Sequence, residues 1–255
     1  MRMVLLTALG VGGATVIGAL LGFIIKGKSH KFSDIILSFA AGVMLSAAVI
    51  GLILPSLEYG ESRGVSLLIT VAGIFAGALC LNLIDKLVPH LHRLSGMTGE
   101  ETHPSATAQL NKVLLFVIAI AIHNLPEGIA AGVSFGTGDV GQALTVAGGI
   151  ALQNIPEGMV IIAPMIAAGV SRRRTFVIAL MTGVVEVIGT LIGYLAVGIS
   201  TAVLPFALAF AGGTMLYVIS DEMIPETHAH GNERAATYAL LVGFAVMLAF
   251  DMFLG

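Results

Sequence analysis

His123-Asn124-Leu125-Pro126-Glu127-Gly128 and Gln153-Asn154-Ile155-Pro156-Glu157-Gly158 nearly repeat each other. Each string lies within an apolar stretch, 112–135 and 142–168. A membrane-spanning helix needs about 20 mostly apolar residues, so both stretches are long enough to cross a bilayer. Within each string a polar side chain and a carboxylate stand one helical turn apart, with a proline between them. Ionisable groups at membrane depth are expensive and mark functional sites by default.

Working outward, six further runs have the same apolar character: 3–25, 34–57, 65–86, 175–198, 203–224 and 235–254. The breaks between runs carry turn or charged residues, such as Lys26-Gly27-Lys28, Gly136-Thr137-Gly138-Asp139 and Arg172-Arg173-Arg174. The reading is an all-α polytopic membrane protein with eight spans in a single transmembrane domain, 1–255. The run at 3–25 is longer than a signal-peptide core and reads as the first span. Composition agrees. The chain is 57% hydrophobic and 11% charged, with a mean hydropathy of +1.00. A soluble domain carries about 25% charged residues, so this chain lacks the polar surface to face water on all sides. With no basic stripe or aromatic platform, nucleic acid is not an expected partner. The single cysteine, Cys80, rules out an internal disulfide.

Basic residues in short loops set orientation. With the loop at 26–33 placed inside, the loops at 87–111, 169–174 and 225–234 are inside too. That side then holds ten of the 12 Lys and Arg residues, leaving only Arg2 and Arg63 outside. An even number of spans with both termini on the non-cytosolic side follows, in a cell (inner) membrane surrounded by lipid.

Residues three or four apart on a helix share a face. His123 and Glu127 are so placed, and Gln153, Asn154 and Glu157 repeat the spacing on the next span. An antiparallel pair joined by the short loop at 136–141 brings the two faces together. His123, Glu127, Gln153 and Glu157 would then surround one ion. Asn124 and Asn154, with the two glutamates, would help to hold a second. Glu127, Glu157 and Glu186 without compensation would cost on the order of 8–10 kcal/mol, and a dication between Glu127 and Glu157 cancels two of those charges. Glu186, inside an apolar span, reads as a pathway or second-site ligand. Pro126 and Pro156 cannot donate to the carbonyls of Ile122 and Leu152, so the helices are expected to bend there and free backbone oxygens.

Polar residues also gather at the cytosolic ends of spans three and seven. Asp85, His90 and His92, together with Asp221, Glu222, Glu226, His228 and His230, form a candidate exit; imidazole and carboxylate suit zinc and iron. Glu58 and Asp251, near the outer ends of spans two and eight, are candidates for an outer entrance.

The paired strings, the His-bearing inside loop between spans three and four, and Ser220-Asp221-Glu222-Met223-Ile224-Pro225-Glu226 resemble the ZIP (Zrt-, Irt-like protein) metal transporters, especially their short prokaryotic members. The resemblance implies a main metal site of His123, Glu127, Gln153 and Glu157. It implies an adjacent site of Asn124, Asn154 and Glu186, bridged by Glu127 and Glu157. Asp85, His90, His92 and Glu222 would match exit ligands. Where some members have aspartate, this chain has Asn154. The family also implies an inverted repeat of spans 1–3 and 6–8 flanking spans 4–5, elevator-like alternating access, and homodimers.

The expected function is import of a divalent transition metal, Zn(II) and also Fe(II), Mn(II) or Cd(II), as substrate and not as catalytic cofactor. A metal-selective channel with the same site is the alternative. No zinc-protease string such as His-Glu-x-x-His is present, and no nucleophile–base grouping suggests an enzyme.

Overall fold

Apolar runs bounded by polar turns fold as helices, and no strand occurs among the described residues. The computed structural model describes residues 1–25, 30–59, 63–87, 122–199 and 203–254. In chain order the helices are α1 (Arg2–Ile25), α2 (His30–Glu58), α3 (Arg63–Leu87), α4 (122–134), α5 (Val140–Ala167), α6 (Arg172–Ile199), α7 (Leu204–Thr227) and α8 (Glu233–Leu254). Seven of them, all but α4, are long and apolar enough among the described residues to cross a membrane. The first ten residues of the expected fourth span, 112–121, lie outside the described residues. The link between α4 and α5 shows how sequence sets the turn. Gly138 takes φ 79°, a left-handed conformation that favours glycine. Asp139 then caps α5, its carboxylate accepting from the Gln142 N–H at 3.1 Å.

Pro126 and Pro156 sit inside helix that runs on past them on both sides. α5 stays one continuous helix through Pro156 and Pro164, and 122–134 is likewise helical through Pro126. In α2 and α7, π-helical segments at Ala47–Ile53 and Ile219–Met223 interrupt the α-geometry. Each ends immediately before a Leu54-Pro55 or Ile224-Pro225 pair. The Leu54 N–H bonds to the Val49 carbonyl and the Ile224 N–H to the Ile219 carbonyl, five residues back in both cases. A proline ring crowds the carbonyl four residues before it, and a widened preceding turn relieves that contact.

α1 packs on α5 and α6, α2 on α8, and α3 on α7. α4 lies against α6, where a Cβ on Gly128 would overlap the carbonyl oxygen of Glu186. On α5 a Cβ on Gly158 would overlap the carbonyl oxygen of Thr15 of α1. The final glycine of each hexapeptide is thus the point where its helix backs directly onto a neighbour. Exchanging α1 with α6, α2 with α7, α3 with α8 and α4 with α5 leaves this pairing unchanged, as an inverted repeat requires.

The core is built largely from small and flexible residues of α2, α4, α5, α7 and α8: Ala40, Met44, Ala48, Ala130, Ile150, Met215 and Met247 are all buried. Small residues let helix backbones approach closely where no hydrophobic driving force separates helix from lipid. Outward, α1, α3, α6 and α8 expose Leu9, Ile24, Leu68, Phe75, Ile188, Leu195 and Leu241. These form the lipid-facing surface of a multi-pass membrane protein.

Candidate metal centre

Gln153 and Asn154 lie at the middle of the 28-residue α5, and Glu186 at the middle of the 28-residue α6. At 1.5 Å per residue each helix is about 40 Å long, so these groups sit near the bilayer midplane. They are fully buried, as are Asn124 and Glu127 at 1% exposure. His123 is 8% exposed, and Glu157 is partly exposed.

α4 and α5 meet through Gln153 Nε2, which donates to Glu127 Oε1 at 2.8 Å. The Glu127 and Glu157 carboxyls are in electrostatic range of each other, and His123 is in range of Glu157. Of the four residues of the expected main site, Gln153 and Glu127 are in direct contact, and Glu157 and His123 lie near enough to act on them or on each other by charge. His123 Nε2 also hydrogen-bonds Glu222 Oε1 at 2.8 Å, tying α4 to the π-helical segment of α7.

The residues expected at a second site form a separate bonded group. Asn124 Nδ2 donates to Glu186 Oε1 and to the Thr182 carbonyl at 3.3 Å. Asn154 Nδ2 donates to Glu186 Oε2 at 2.7 Å and to the Val11 carbonyl at 3.3 Å. Thr15 of α1 adds a third donor, its Oγ1 lying 2.7 Å from Glu186 Oε1. The sequence reading passed over Thr15. A signal was available: Thr15 is a polar residue three positions from both Gly12 and Gly18, the glycines by which α1 approaches α6 and α5.

Four side-chain oxygens in this layer are buried without a donor among the described residues: Asn124 Oδ1, Glu127 Oε2, Gln153 Oε1 and Asn154 Oδ1. Buried polar atoms are ordinarily paired. A set that lacks donors and consists only of oxygens is chemically suited to a cation. Among the described residues no three His, Cys, Asp or Glu side chains are already closed round an ion position. The reason is visible in the bonding. His123 is engaged by Glu222, and the Gln153 amide faces Glu127 through its nitrogen. To ligate through Nε2 the imidazole must leave Glu222, whereas ligation through Nδ1 would keep that bond; for the Gln153 oxygen to take the place its nitrogen holds beside Glu127, the amide must turn.

The remaining expected residues are more dispersed. Glu222, expected at the exit, contacts the main site through His123. His228 is bonded to the Ile224 carbonyl at 2.8 Å and to Thr237 at 3.1 Å. His230 bonds Asp34 Oδ1 at 3.0 Å and stacks on His30 at 5.0 Å, while Asn232 donates to Asp34 Oδ2 at 2.9 Å. These last contacts fasten the α7–α8 turn to the start of α2, away from Glu222. Asp221 and Glu226 are exposed. Asp85 falls in the last turn of α3, with its side chain outside the described set, and His90 and His92 lie outside the described residues. Glu58 is exposed at the far end of α2, and Asp251 is partly exposed near the end of α8.

Comparison with known proteins shows which family the chain belongs to. A family described as ZIP Zinc transporter matches residues 88–251. The chain is 42% identical to zinc transporter GufA of Myxococcus xanthus, over 98% of this chain and 98% of that protein. It is 38% identical to zinc transporter ZIPB of Bordetella bronchiseptica, over 95% of this chain and 78% of that protein. It is 35% identical to zinc transporter ZupT of Chlorobaculum parvum, over 92% of this chain and 91% of that protein. With paired hexapeptides at mid-membrane and similarity along nearly its whole length, the chain belongs to the ZIP zinc transporter family, a family of transporters and not of enzymes.

Proposed function

We propose that this protein carries Zn(II) across the cell membrane into the cytosol by alternating access, with His123, Glu127, Gln153 and Glu157 as the carrying site. The observation that carries the reading is the set of donorless buried oxygens beside two carboxyls and an imidazole. Glu127 and Glu157 neutralise the dication, while His123 and Gln153 add ligands and shape selectivity. The same donor set accepts Fe(II), Mn(II) or Cd(II), whose order is a matter for a metal panel.

The packing around the site supports alternation. On the α4–α5 loop side, Val146 and Ile150 of α5 are buried with Met44, Ala48 and Leu52 of α2 and Leu208 and Met215 of α7. On the opposite side Glu157 and Glu222 are partly exposed. With the basic loops placed inside, the site is sealed from the outer face and approached from the cytosolic one. A seal of packed apolar side chains suits a carrier that must rearrange more than a standing pore. Strong ligands would otherwise hold the metal, and the His123–Glu222 bond offers a route by which a ligand can be withdrawn toward the exit. The homodimer belongs to the same proposal.

Zinc uptake by purified protein in proteoliposomes tests the reading. Saturable uptake that Glu157→Ala abolishes is expected. Unchanged saturable uptake by Glu157→Ala would overturn the site, and non-saturating, voltage-driven flux would favour the channel.

A further inference from the structure

We infer that Glu186 is a positioning residue and not a metal ligand, and that the transport cavity of this chain therefore carries a single dication whose surroundings are set by Thr15 and Glu186. The inference rests on the metal-site reading above and departs from the two-ion arrangement that the resemblance implies.

The hydrogen-bond inventory carries the argument. A side-chain amide nitrogen has two hydrogens and no lone pair to offer. Both hydrogens of Asn124 are used, one on Glu186 Oε1 and one on the Thr182 carbonyl. Both hydrogens of Asn154 are used, one on Glu186 Oε2 and one on the Val11 carbonyl. Each amide nitrogen is thus surrounded by acceptors from two acceptor groups, and each amide oxygen is turned away from Glu186. A second ion shared by Glu186 and the two asparagine oxygens would require both amides to flip. Their oxygens would then face the Val11 and Thr182 carbonyl oxygens, with no donor between them. Thr15 supplies a third donor to Glu186 from α1, so the carboxyl accepts on both oxygens from three different helices.

Charge counting points the same way. One dication balances Glu127 and Glu157, and Glu186 is satisfied by its three donors. Two dications against Glu127, Glu157 and Glu186 would leave one positive charge at the bilayer midplane, the fourth nearby carboxylate, Glu222, being partly exposed and bonded to His123. A carboxylate at position 154 would balance them, but this chain has Asn154. Glu186 and Thr15 then act by orientation. They fix the two asparagine amides so that Asn124 Oδ1 and Asn154 Oδ1 remain as unpaired acceptors in the cavity layer.

The test counts zinc bound per chain in purified protein at saturation, as the difference from Glu127→Ala, so that zinc held elsewhere on the chain cancels. Zinc-edge X-ray absorption on the same samples looks for a zinc–zinc distance of about 3.5–4 Å, the spacing of two-metal sites. We expect a difference of one, no zinc–zinc shell, and the same count for Glu186→Gln with affinity about tenfold weaker, the size of a lost hydrogen bond to a carboxylate that holds the asparagine amides beside the carrying acids. Thr15→Val, which removes a hydrogen bond to the Glu186 carboxylate, should weaken zinc binding about tenfold at unchanged count, and Thr15→Ser should restore it. Asn154→Asp should raise the difference to two and bring in the zinc–zinc shell. A difference of two in the unsubstituted protein that falls to one in Glu186→Gln overturns the inference while leaving the carrying site intact. Unchanged affinity in Thr15→Val overturns the positioning role. Equal zinc in Glu127→Ala and the unsubstituted protein overturns the carrying site itself.

Discussion

Gly158→Ala perturbs the point where α5 backs onto α1, one residue from the carrying acid Glu157. The added Cβ would overlap the Thr15 carbonyl oxygen and lie 3.0 Å from both the Thr15 carbonyl carbon and the Ala19 nitrogen. Ordinary contacts between such atoms are about 3.5–4.0 Å, so α1 and α5 must part by about 0.5–1 Å. The opposing atoms are backbone and cannot swing aside as the end of a side chain can. Overpacking of this kind costs about 1–3 kcal/mol, and the rigid neighbour places this site near the upper end. Replacing glycine by alanine in a helix returns about 1 kcal/mol, leaving a net loss of about 2 kcal/mol. Function should suffer more than folding. Glu157 moves with the α5 backbone relative to Glu127, and a misplacement of about 1 Å can cost about 100-fold where geometry decides. We expect a thermal midpoint in detergent lower by about 5 °C and zinc affinity reduced about 10–100-fold. Gly10→Ala is the control, since nothing lies within 4 Å of a Cβ there; it should raise the midpoint by about 2–4 °C through helix propensity alone and leave zinc affinity unaltered. If Gly158→Ala matched Gly10→Ala in melting and in zinc titration, the close-approach account of the hexapeptide glycines would be refuted.

His230→Gln removes the bond to Asp34 and the stack on His30 that fasten the α7–α8 turn to α2. Stability should fall by about 1–2 kcal/mol in a thermal melt, with affinity at the carrying site unchanged by calorimetry; a large loss of zinc affinity would instead assign His230 to the metal path. Pro225→Ala supplies a backbone N–H that can bond to the Asp221 carbonyl and removes the ring that favours the widened turn. α7 should then close into regular helix, turning Glu222 away from His123, and zinc uptake in vesicles should drop roughly tenfold, the size of a lost charge-assisted bond. Uptake at the original rate would show that the His123–Glu222 bond takes no part in transport.

Much of this protein was legible in one dimension. Apolar length alone placed the helices, because a bilayer of fixed thickness demands runs of that length. The helix ends lie within a few residues of the expected boundaries wherever they are described. The two hexapeptides offered the candidate carrying residues, since helical spacing puts His123 with Glu127 and Gln153 with Glu157 on common faces. What the linear order left open is which partner each polar group takes. Thr15 and Glu186 are 171 positions apart and His123 and Glu222 are 99 apart, yet both pairs are hydrogen-bonded. Donors and acceptors buried in lipid pair with whatever group the neighbouring helix presents, and that neighbour is chosen by backbone approach at glycines such as Gly128 and Gly158. The π-helical turns before Pro55 and Pro225 were likewise a tertiary decision. Pro55, Pro126, Pro156 and Pro225 all lack the same N–H, and the packing of the helices around them decides which backbone turn widens.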